Sequence, residues 1–198
     1  MEHLSEEYRD ANVLSLERSI VGTCGKAEGE SRWKPLFNNL TVVNHGQHDG
    51  RAVYNLSDDI RLAHWDLVLN PNLLHHVRDQ NGLFRVMTEL VGKETELYIF
   101  DHPFVEVHDV PGHYCLYTPY GIRDRLEREG LSIVSLREVV NHWDAILYCV
   151  DFAMQKEPDL RASDILKDPK ELLELAMLDY PPIGRRMCMA WTVRAKRA

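Results

Sequence analysis

The sequence predicts an α+β fold: a single domain over residues 1–198 in which a mainly antiparallel sheet packs against one long helix. Three observations lead to this prediction. Residues 135–155 carry a helical apolar stripe, residues 40–56 and 84–117 have the pattern of β-hairpins, and further helical patterns occur towards both ends of the chain. Strands and helices come in blocks rather than in regular alternation, which favours an antiparallel sheet over βαβ units.

The long helix over residues 135–155 is predicted from apolar residues that recur at steps of three and four, the spacing of one helical face. Ser135 and Glu138 have the spacing of a capping box, and Pro158 would end the helix. Such a helix is about 30 Å long and needs an apolar layer to cover it. The stripe consists of Leu136, Val139, Val140, Trp143, Ile146, Leu147, Val150 and Met154.

The remaining elements follow from local composition. The first hairpin, 40–56, places two β-rich segments around the Gly-flanked turn 46–50, and the second hairpin region, 84–117, contains strands at 84–91, 95–100, 104–110 and 113–117. Short strands are also expected at 131–134 and 187–193. Helices are expected at 5–21, 57–69, 71–80, 122–129 and 163–180.

The charge of the chain disfavours nucleic acid as a partner. The net charge is −8, whereas binding to phosphates needs a basic face. Basic residues are nevertheless concentrated in a short C-terminal segment, 184–198, which has five basic residues and no acidic one. One interpretation is that this segment only keeps the protein soluble, and the alternative is that it contacts an acidic partner.

The composition predicts a soluble cytoplasmic protein. The N-terminus is polar and acidic, unlike a signal peptide. The longest uninterrupted apolar run has six residues, 145–150, which is too short to span a membrane. The four cysteines are widely spaced and form no C-x-x-C pair, so reduced thiols are expected.

A candidate metal site lies within residues 102–113, where three of the ten histidines occur close to carboxylates. If residues 104–110 form a strand, Glu106 and His108 project from one face, and His102 and His113 lie near its two ends. Imidazole and carboxylate ligands suit zinc or non-haem iron. The same alternation is typical of any half-exposed strand, so the structural interpretation remains open beside the metal site.

The pair His75-His76 is expected on a short helix, where adjacent side chains point about 100° apart. The two rings could then not easily share one ion, and one of them is expected to be exposed.

A candidate surface for a partner protein is carried by tyrosines and by the basic end of the chain. Tyrosine offers a large contact area with a polar tip, and Tyr114, Tyr117 and Tyr120 occur within seven residues. The basic candidates for the same contact are Arg194, Lys196 and Arg197.

The function predicted from the sequence is a non-enzymatic protein–protein interaction or assembly subunit, since no nucleophile elbow or phosphate-binding loop is present. A viral or phage accessory or structural component fits this description. The alternative is a small zinc or iron enzyme built on His102, Glu106, His108 and His113. The expected partner is another protein, with an oligomer as a further possibility and no membrane contact.

Overall fold

The computed structural model describes residues 2–18, 31, 33–45, 56–103, 113–140 and 188–198. The chain divides into two compact units, Met1–Glu138 with Ala190–Ala198, and Val139–Met189. Nearly all of the described residues belong to the first unit, so the fold given below is that of the first unit. A single domain over residues 1–198 stays a prediction.

Six strands form one sheet, in the order β2-β1-β3-β4-β6-β5. Strand β1 pairs in parallel with β2 and with β3, and β3 pairs in parallel with β4. Strand β6 then pairs antiparallel with β4. The strands are β1 Asn12–Arg18, β2 Asn39–His45, β3 Leu67–Pro71, β4 Glu96–Asp101, β5 Leu131–Val140 and β6 Cys188–Arg197.

The predicted mainly antiparallel α+β fold is therefore wrong, because four neighbouring strands of this mixed sheet run parallel. The predicted hairpin 40–56 fails for the same reason: β2 pairs in parallel with β1, and residues 46–55 lie outside the described part of the chain. Parallel strands need long crossover connections, which a search for tight turns does not detect.

Strands β1 and β3 were predicted as parts of helices 5–21 and 57–69. Val13, Leu14 and Leu16 of β1 are fully buried, as are Leu67 and Val68 of β3. Such apolar runs are typical of a parallel sheet covered on both faces, and periodicity alone does not separate them from a buried helix.

The described helices are α1 Glu2–Glu7, α2 Asp58–Leu62, α3 Gln80–Leu90 and α4 Pro119–Arg128, with short 3-10 helices at Lys34–Leu36 and Leu74–His76. None of these helices combines the length and hydrophobicity needed to cross a membrane.

Helix α3 replaces the strand predicted at residues 84–91 and begins where the helix 71–80 was expected to end. The Asp79 side chain caps it by accepting a hydrogen bond of 2.9 Å from the Gly82 N–H. Its buried residues are spaced by one, three and three positions, which is the pattern of one helical face. They are Leu83, Phe84, Met87 and Leu90.

Helix α4 and strand β6 confirm the helix predicted at 122–129 and the strand predicted at 187–193. Thr118 caps α4 by accepting a hydrogen bond of 3.1 Å from the Gly121 N–H, and Pro119 occupies the first turn. Gly130 follows the helix with a φ of 79°, a left-handed conformation that favours glycine and lets the chain turn into β5.

The long helix predicted over 135–155 is wrong in its first part, because residues 135–140 belong to β5. β-Branched residues such as Ile133, Val134 and Val139 favour a strand, and the spacing of Ser135 and Glu138 fits a capping box without forming one. Residues 141–155, which carry the rest of the predicted stripe, lie outside the described residues.

One face of the parallel strands packs against the N-terminal helix and the segment before β2. Leu67 and Leu69 of β3 and Val13 of β1 form a buried cluster with Leu4 and Phe37, completed by Tyr98 of β4. This cluster fixes the parallel strands side by side.

We expect Leu69→Ala to destabilise the fold strongly, because Leu69 is 1% exposed in this cluster. Truncation of a buried leucine costs about 2–5 kcal/mol of unfolding free energy. The matched control is Leu62→Ala, since Leu62 is 85% exposed and its truncation should change stability by less than about 0.5 kcal/mol. Urea denaturation measures both variants, and equal effects would contradict the assignment of residues 67–71 to a central strand.

Candidate functional site

The carboxyl ends of β1, β3 and β4 meet at one edge of the sheet because these strands are parallel. The strand order reverses at β1, since β2 lies on one side of it and β3 on the other. In open α/β sheets, ligands bind in the crevice outside the carboxyl ends at such a reversal. The polar side chains described at this edge are Ser15, Glu17, Asn70, Asn72, His75, Asp101 and His102.

Glu17 places a half-buried carboxylate at the end of β1. Its Oε1 accepts a hydrogen bond of 2.8 Å from the fully buried Ser15 hydroxyl and one of 2.5 Å from the Ser31 hydroxyl. Ser31 in turn accepts a hydrogen bond of 3.2 Å from the Trp33 N–H. These contacts orient a negatively charged acceptor at the strand reversal.

Asn70 and Asn72 place two amide oxygens at the end of β3. Asn70 is fully buried, and its Nδ2 contacts Met87 Sδ at 3.4 Å. The Oδ1 atoms of both asparagines are buried and have no hydrogen-bond partner within the described ranges. A buried acceptor without a partner is costly, by about 1–3 kcal/mol, and therefore suggests a ligand that donates to it.

Asn72 also has an unusual backbone, with a φ of 55°. Asparagine tolerates this left-handed conformation better than most residues. The Asn72 N–H donates a hydrogen bond of 2.6 Å to the Phe100 carbonyl, which ties the turn after β3 to β4. Non-glycine residues in this conformation occur often at functional sites.

Asp101 is the buried end of β4 and accepts three hydrogen bonds. Its Oδ2 accepts from the Leu74 N–H at 3.0 Å, while its Oδ1 accepts from the His102 N–H at 2.8 Å. His75 Nδ1 lies 3.1 Å from the same Oδ1. The carboxylate thereby holds the 3-10 helix Leu74–His76 against the end of β4.

Four imidazole rings gather beside Asp101, and we call His75, His76, His102 and His113 the histidine cluster. The centroid of the His75 ring lies 4.0 Å from that of His76, 5.3 Å from that of His102 and 5.0 Å from that of His113. His75 is fully buried, whereas His102 and His113 are partly exposed. The cluster can therefore connect a buried imidazole to the surface.

The segment 113–118 packs against this turn. The Tyr114 N–H donates a hydrogen bond of 2.7 Å to the His75 carbonyl, and Cys115 Sγ lies 3.5 Å from the Leu74 carbonyl oxygen. Burial raises the pKa of the Cys115 thiol to about 11, and the negative charge of Asp101 adds to this effect. Cys115 is therefore a neutral neighbour of the cluster at physiological pH.

The structure brings together two of the four predicted metal ligands, His102 and His113, around His75. Glu106 and His108 lie outside the described residues. Sequence reasoning missed the central member, since it expected one of His75 and His76 to be exposed, and both are buried. The sequence signal that could have identified His75 and His76 is their position a few residues after an apolar run that is typical of a strand. In the structure they lie at the same edge of the sheet as Asp101.

The predicted partner-contact tyrosines differ in exposure. Tyr120 is 71% exposed and Tyr114 is 38% exposed, whereas Tyr117 packs edge-on against Phe84 with ring centroids 5.8 Å apart. That these side chains contact another protein stays a prediction.

The predicted basic contacts make interactions within the chain. Arg194 forms ion pairs with Glu7 at 2.9 Å and Glu96 at 2.6 Å, and Lys196 lies 3.4 Å from Glu96. Arg197 donates hydrogen bonds to the carbonyls of Val91 and Thr88, at 2.7 and 2.8 Å. These contacts anchor β6 to neighbouring elements, and a role in binding a partner stays a prediction.

Solved structures share this fold. A Bacillus halodurans protein to which methyltransferase activity is attributed aligns over 100% of this chain and 99% of its own, with a TM-score of 0.54 and 14% identity. Coclaurine N-methyltransferase bound to N-methylheliamine and S-adenosylhomocysteine (SAH) aligns over 98% of this chain and 68% of its own, with a TM-score of 0.52 and 14% identity.

The complex of DhpI with SAH also aligns, over 100% of this chain and 81% of its own, with a TM-score of 0.50 and 15% identity. No protein-family profile matches the chain, and no curated protein matches its sequence. At these identities the likeness establishes a Rossmann-like α/β fold with a mostly parallel, mixed sheet.

The likeness corrects three predictions made from the sequence. The non-enzymatic interaction or assembly subunit, the alternative of a zinc or iron enzyme, and the metal cofactor are all contradicted by neighbours that are named as methyltransferases or hold SAH. The metal predictions relied on a strand presenting Glu106 and His108, which lie outside the described residues, whereas the described strands β1, β3 and β4 run parallel. The assembly prediction relied on the absence of a recognised catalytic motif, and in a sheet of parallel strands a ligand site is formed by strand ends that are distant in the sequence.

We expect the Cys115 thiol to resist alkylation by iodoacetamide at neutral pH and to react only as the pH approaches about 11. The thiolate is the nucleophile, and burial favours the neutral thiol, so the reactive fraction grows with rising pH. Mass spectrometry of the peptide containing Cys115 measures the rate across the pH range. The urea-unfolded chain is the control and should react with an ordinary thiol pKa; equal rates for folded and unfolded chains would contradict the packing of segment 113–118.

Proposed function

We propose that the chain is a methyltransferase that uses S-adenosylmethionine as methyl donor. The observation that carries the proposal is the set of hydrogen-bond acceptors, Glu17, Asn70 and Asn72, at the carboxyl ends of β1 and β3 where the strand order reverses. Such a reversal is where ligands bind in this type of sheet. The fold is shared with coclaurine N-methyltransferase and with DhpI, both of which are described with SAH.

The residues at this edge fit the chemistry of the donor. S-adenosylmethionine presents hydrogen-bond donors around its periphery, namely an ammonium group, ribose hydroxyls and an adenine amino group, and it carries a positive sulfonium. Carboxylates and amide oxygens accept such hydrogen bonds. Glu17 would hold the donor through its charge, and Asn70 and Asn72 through amide oxygens that the described residues leave without partners.

The protein's part in the reaction is to bind and orient both reactants and to exclude water. The bound donor supplies an electrophilic methyl group on a positively charged sulfur. Glu17 and Asp101 make this edge of the sheet negative, which favours a cationic ligand. Burial of Asn70 and Asp101 keeps these acceptors out of bulk water, where each hydrogen bond would be weaker.

We expect the purified chain to bind both S-adenosylmethionine and SAH, and Glu17→Gln to weaken the binding of S-adenosylmethionine by about 10- to 100-fold. A hydrogen bond to a charged group contributes about 1.5–3 kcal/mol, and glutamine keeps the shape of glutamate without its charge. Asn70→Leu, which removes the buried amide oxygen, should also weaken binding. Isothermal titration calorimetry measures the dissociation constants.

Glu127→Gln is the matched control, because Glu127 is exposed on α4, away from the carboxyl ends of the strands. It should leave the dissociation constant unchanged. A folded wild-type chain that binds neither S-adenosylmethionine nor SAH would contradict the proposed function. Equal effects of the Glu17 and Glu127 substitutions would contradict the placement of the site.

A further inference from the structure

Two serine hydroxyls donate hydrogen bonds to one oxygen of the Glu17 carboxylate. The Ser15 hydroxyl lies 2.8 Å and the Ser31 hydroxyl 2.5 Å from Oε1. A carboxylate accepts on both of its oxygens, so two hydrogen bonds to a single oxygen leave the other one for further donors. Within the described ranges no donor reaches Glu17 Oε2, and the side chain is only half-buried. Oε2 is therefore the oxygen that a ligand can reach.

The position of Ser31 is fixed by the turn that precedes the 3-10 helix Lys34–Leu36. Its Oγ accepts a hydrogen bond of 3.2 Å from the Trp33 N–H, and the Lys34 N–H donates to the Ser31 carbonyl at 3.0 Å. A hydroxyl has one proton to donate, and an ionised carboxylate can only accept. The Ser31 proton therefore points to Glu17, and the backbone of the turn holds it in that direction.

Ser15 is a polar residue in an otherwise apolar strand interior. It is fully buried, as are Val13, Leu14 and Leu16 beside it. Ser15 and Glu17 are two positions apart in β1 and project from the same face of the sheet. Alanine would occupy nearly the same volume with no polar group to satisfy, so packing alone gives no reason for a hydroxyl here. Among the described residues, the hydroxyl bonds to Glu17 alone.

We propose that Ser15 and Ser31 are positioning residues for the methyl donor, and this inference rests on the proposed function. Their hydroxyls hold the Glu17 carboxylate by Oε1 and so direct Oε2 towards a hydrogen-bond donor of the bound ligand. A charge-assisted hydrogen bond depends on its direction, and a carboxylate that is already oriented loses less rotamer freedom when the ligand binds. Neither serine is a catalytic residue, because each acts through Glu17.

The part of the ligand that Glu17 Oε2 meets must carry an N–H or an O–H. The sulfonium has no such group, whereas the ammonium, the ribose hydroxyls and the adenine amino group are common to S-adenosylmethionine and SAH. The two serines should therefore affect the binding of both ligands to the same extent. An effect through charge alone would instead be larger for S-adenosylmethionine, which has the additional positive charge on sulfur.

The experiment measures the dissociation constants of S-adenosylmethionine and SAH for the full chain by isothermal titration calorimetry. We expect Ser31→Ala and Ser15→Ala each to raise both constants about 5- to 10-fold, within the range of couplings between hydrogen-bonded neighbours. Ser31→Thr, which keeps the hydroxyl, should stay within about 2-fold of the wild type. The matched control is Ser132→Ala, because Ser132 is exposed on β5, separated from β1 by three strands, and it should change neither constant.

A double-mutant cycle with Glu17→Ala tests whether the serines act through Glu17. In the Glu17→Ala background no carboxylate remains to be oriented, so adding Ser31→Ala should change either constant by less than about 2-fold. Losses that multiply, as they do for two unrelated residues, would overturn the inference. So would a loss confined to S-adenosylmethionine, or a Ser31→Thr chain that binds as weakly as Ser31→Ala.

Urea denaturation distinguishes positioning from a structural role. Both alanine variants should unfold close to the wild-type urea midpoint, since Glu17 is only half-buried and water can take the place of a lost hydroxyl. A loss of affinity that occurs only together with a loss of stability would overturn the inference. A wild-type chain that binds neither ligand overturns the proposed function and this inference together, whereas alanine variants that bind both ligands as well as the wild type overturn this inference alone.

Discussion

The buried carboxylate of Asp101 is the interaction on which the arrangement of the site depends. A carboxylate removed from water without partners would cost several kcal/mol, and here three hydrogen bonds compensate that cost. Because two of the donors belong to the 3-10 helix Leu74–His76 and the third to His102, the charge fixes the turn after β3 relative to the end of β4. The orientation of His75 follows from this one group.

The parallel pairing of β1, β3 and β4 is the second constraint on the arrangement of the candidate site. It brings the ends of three strands that are distant in the sequence to one edge, and the strand order reverses there at β1, which is where ligands bind in open α/β sheets. Glu17, Asn70 and Asp101 each occupy the last residues of a strand, where a side chain can be buried and still face a ligand. The apolar strand interiors thus form the core, and the polar carboxyl ends of the strands form the candidate site.

The sequence predicted local features better than the topology. The predicted helix 122–129 and strand 187–193 agree with α4 and β6, whose signals are local: a Thr-Pro start and a following glycine at α4, and alternating burial along β6. The order and direction of the strands were not, since continuous apolar runs such as 67–69 fit a buried helix as well as a parallel strand. The stripe that includes Val139 shows the opposite error, in which helical spacing occurs within a strand.

The candidate site was also predicted only in part, because the sequence shows which residues are close along the chain but not which strands pair. His102 and His113 were selected because they are close in the sequence, and they do meet in space around His75. Glu17 and Asn70, in contrast, are 53 positions apart and come to the same edge of the sheet only through parallel pairing of β1 and β3. Long-range pairing of that kind leaves no signal in the spacing of residues along the chain.

The most direct test of the central claim is a crystal structure of the chain grown with SAH. The account predicts SAH in the crevice at the carboxyl ends of β1 and β3, in contact with Glu17 and within reach of Asn70. Well-ordered crystals in which SAH is bound elsewhere, or in which this crevice is filled by the chain's own side chains, would contradict it.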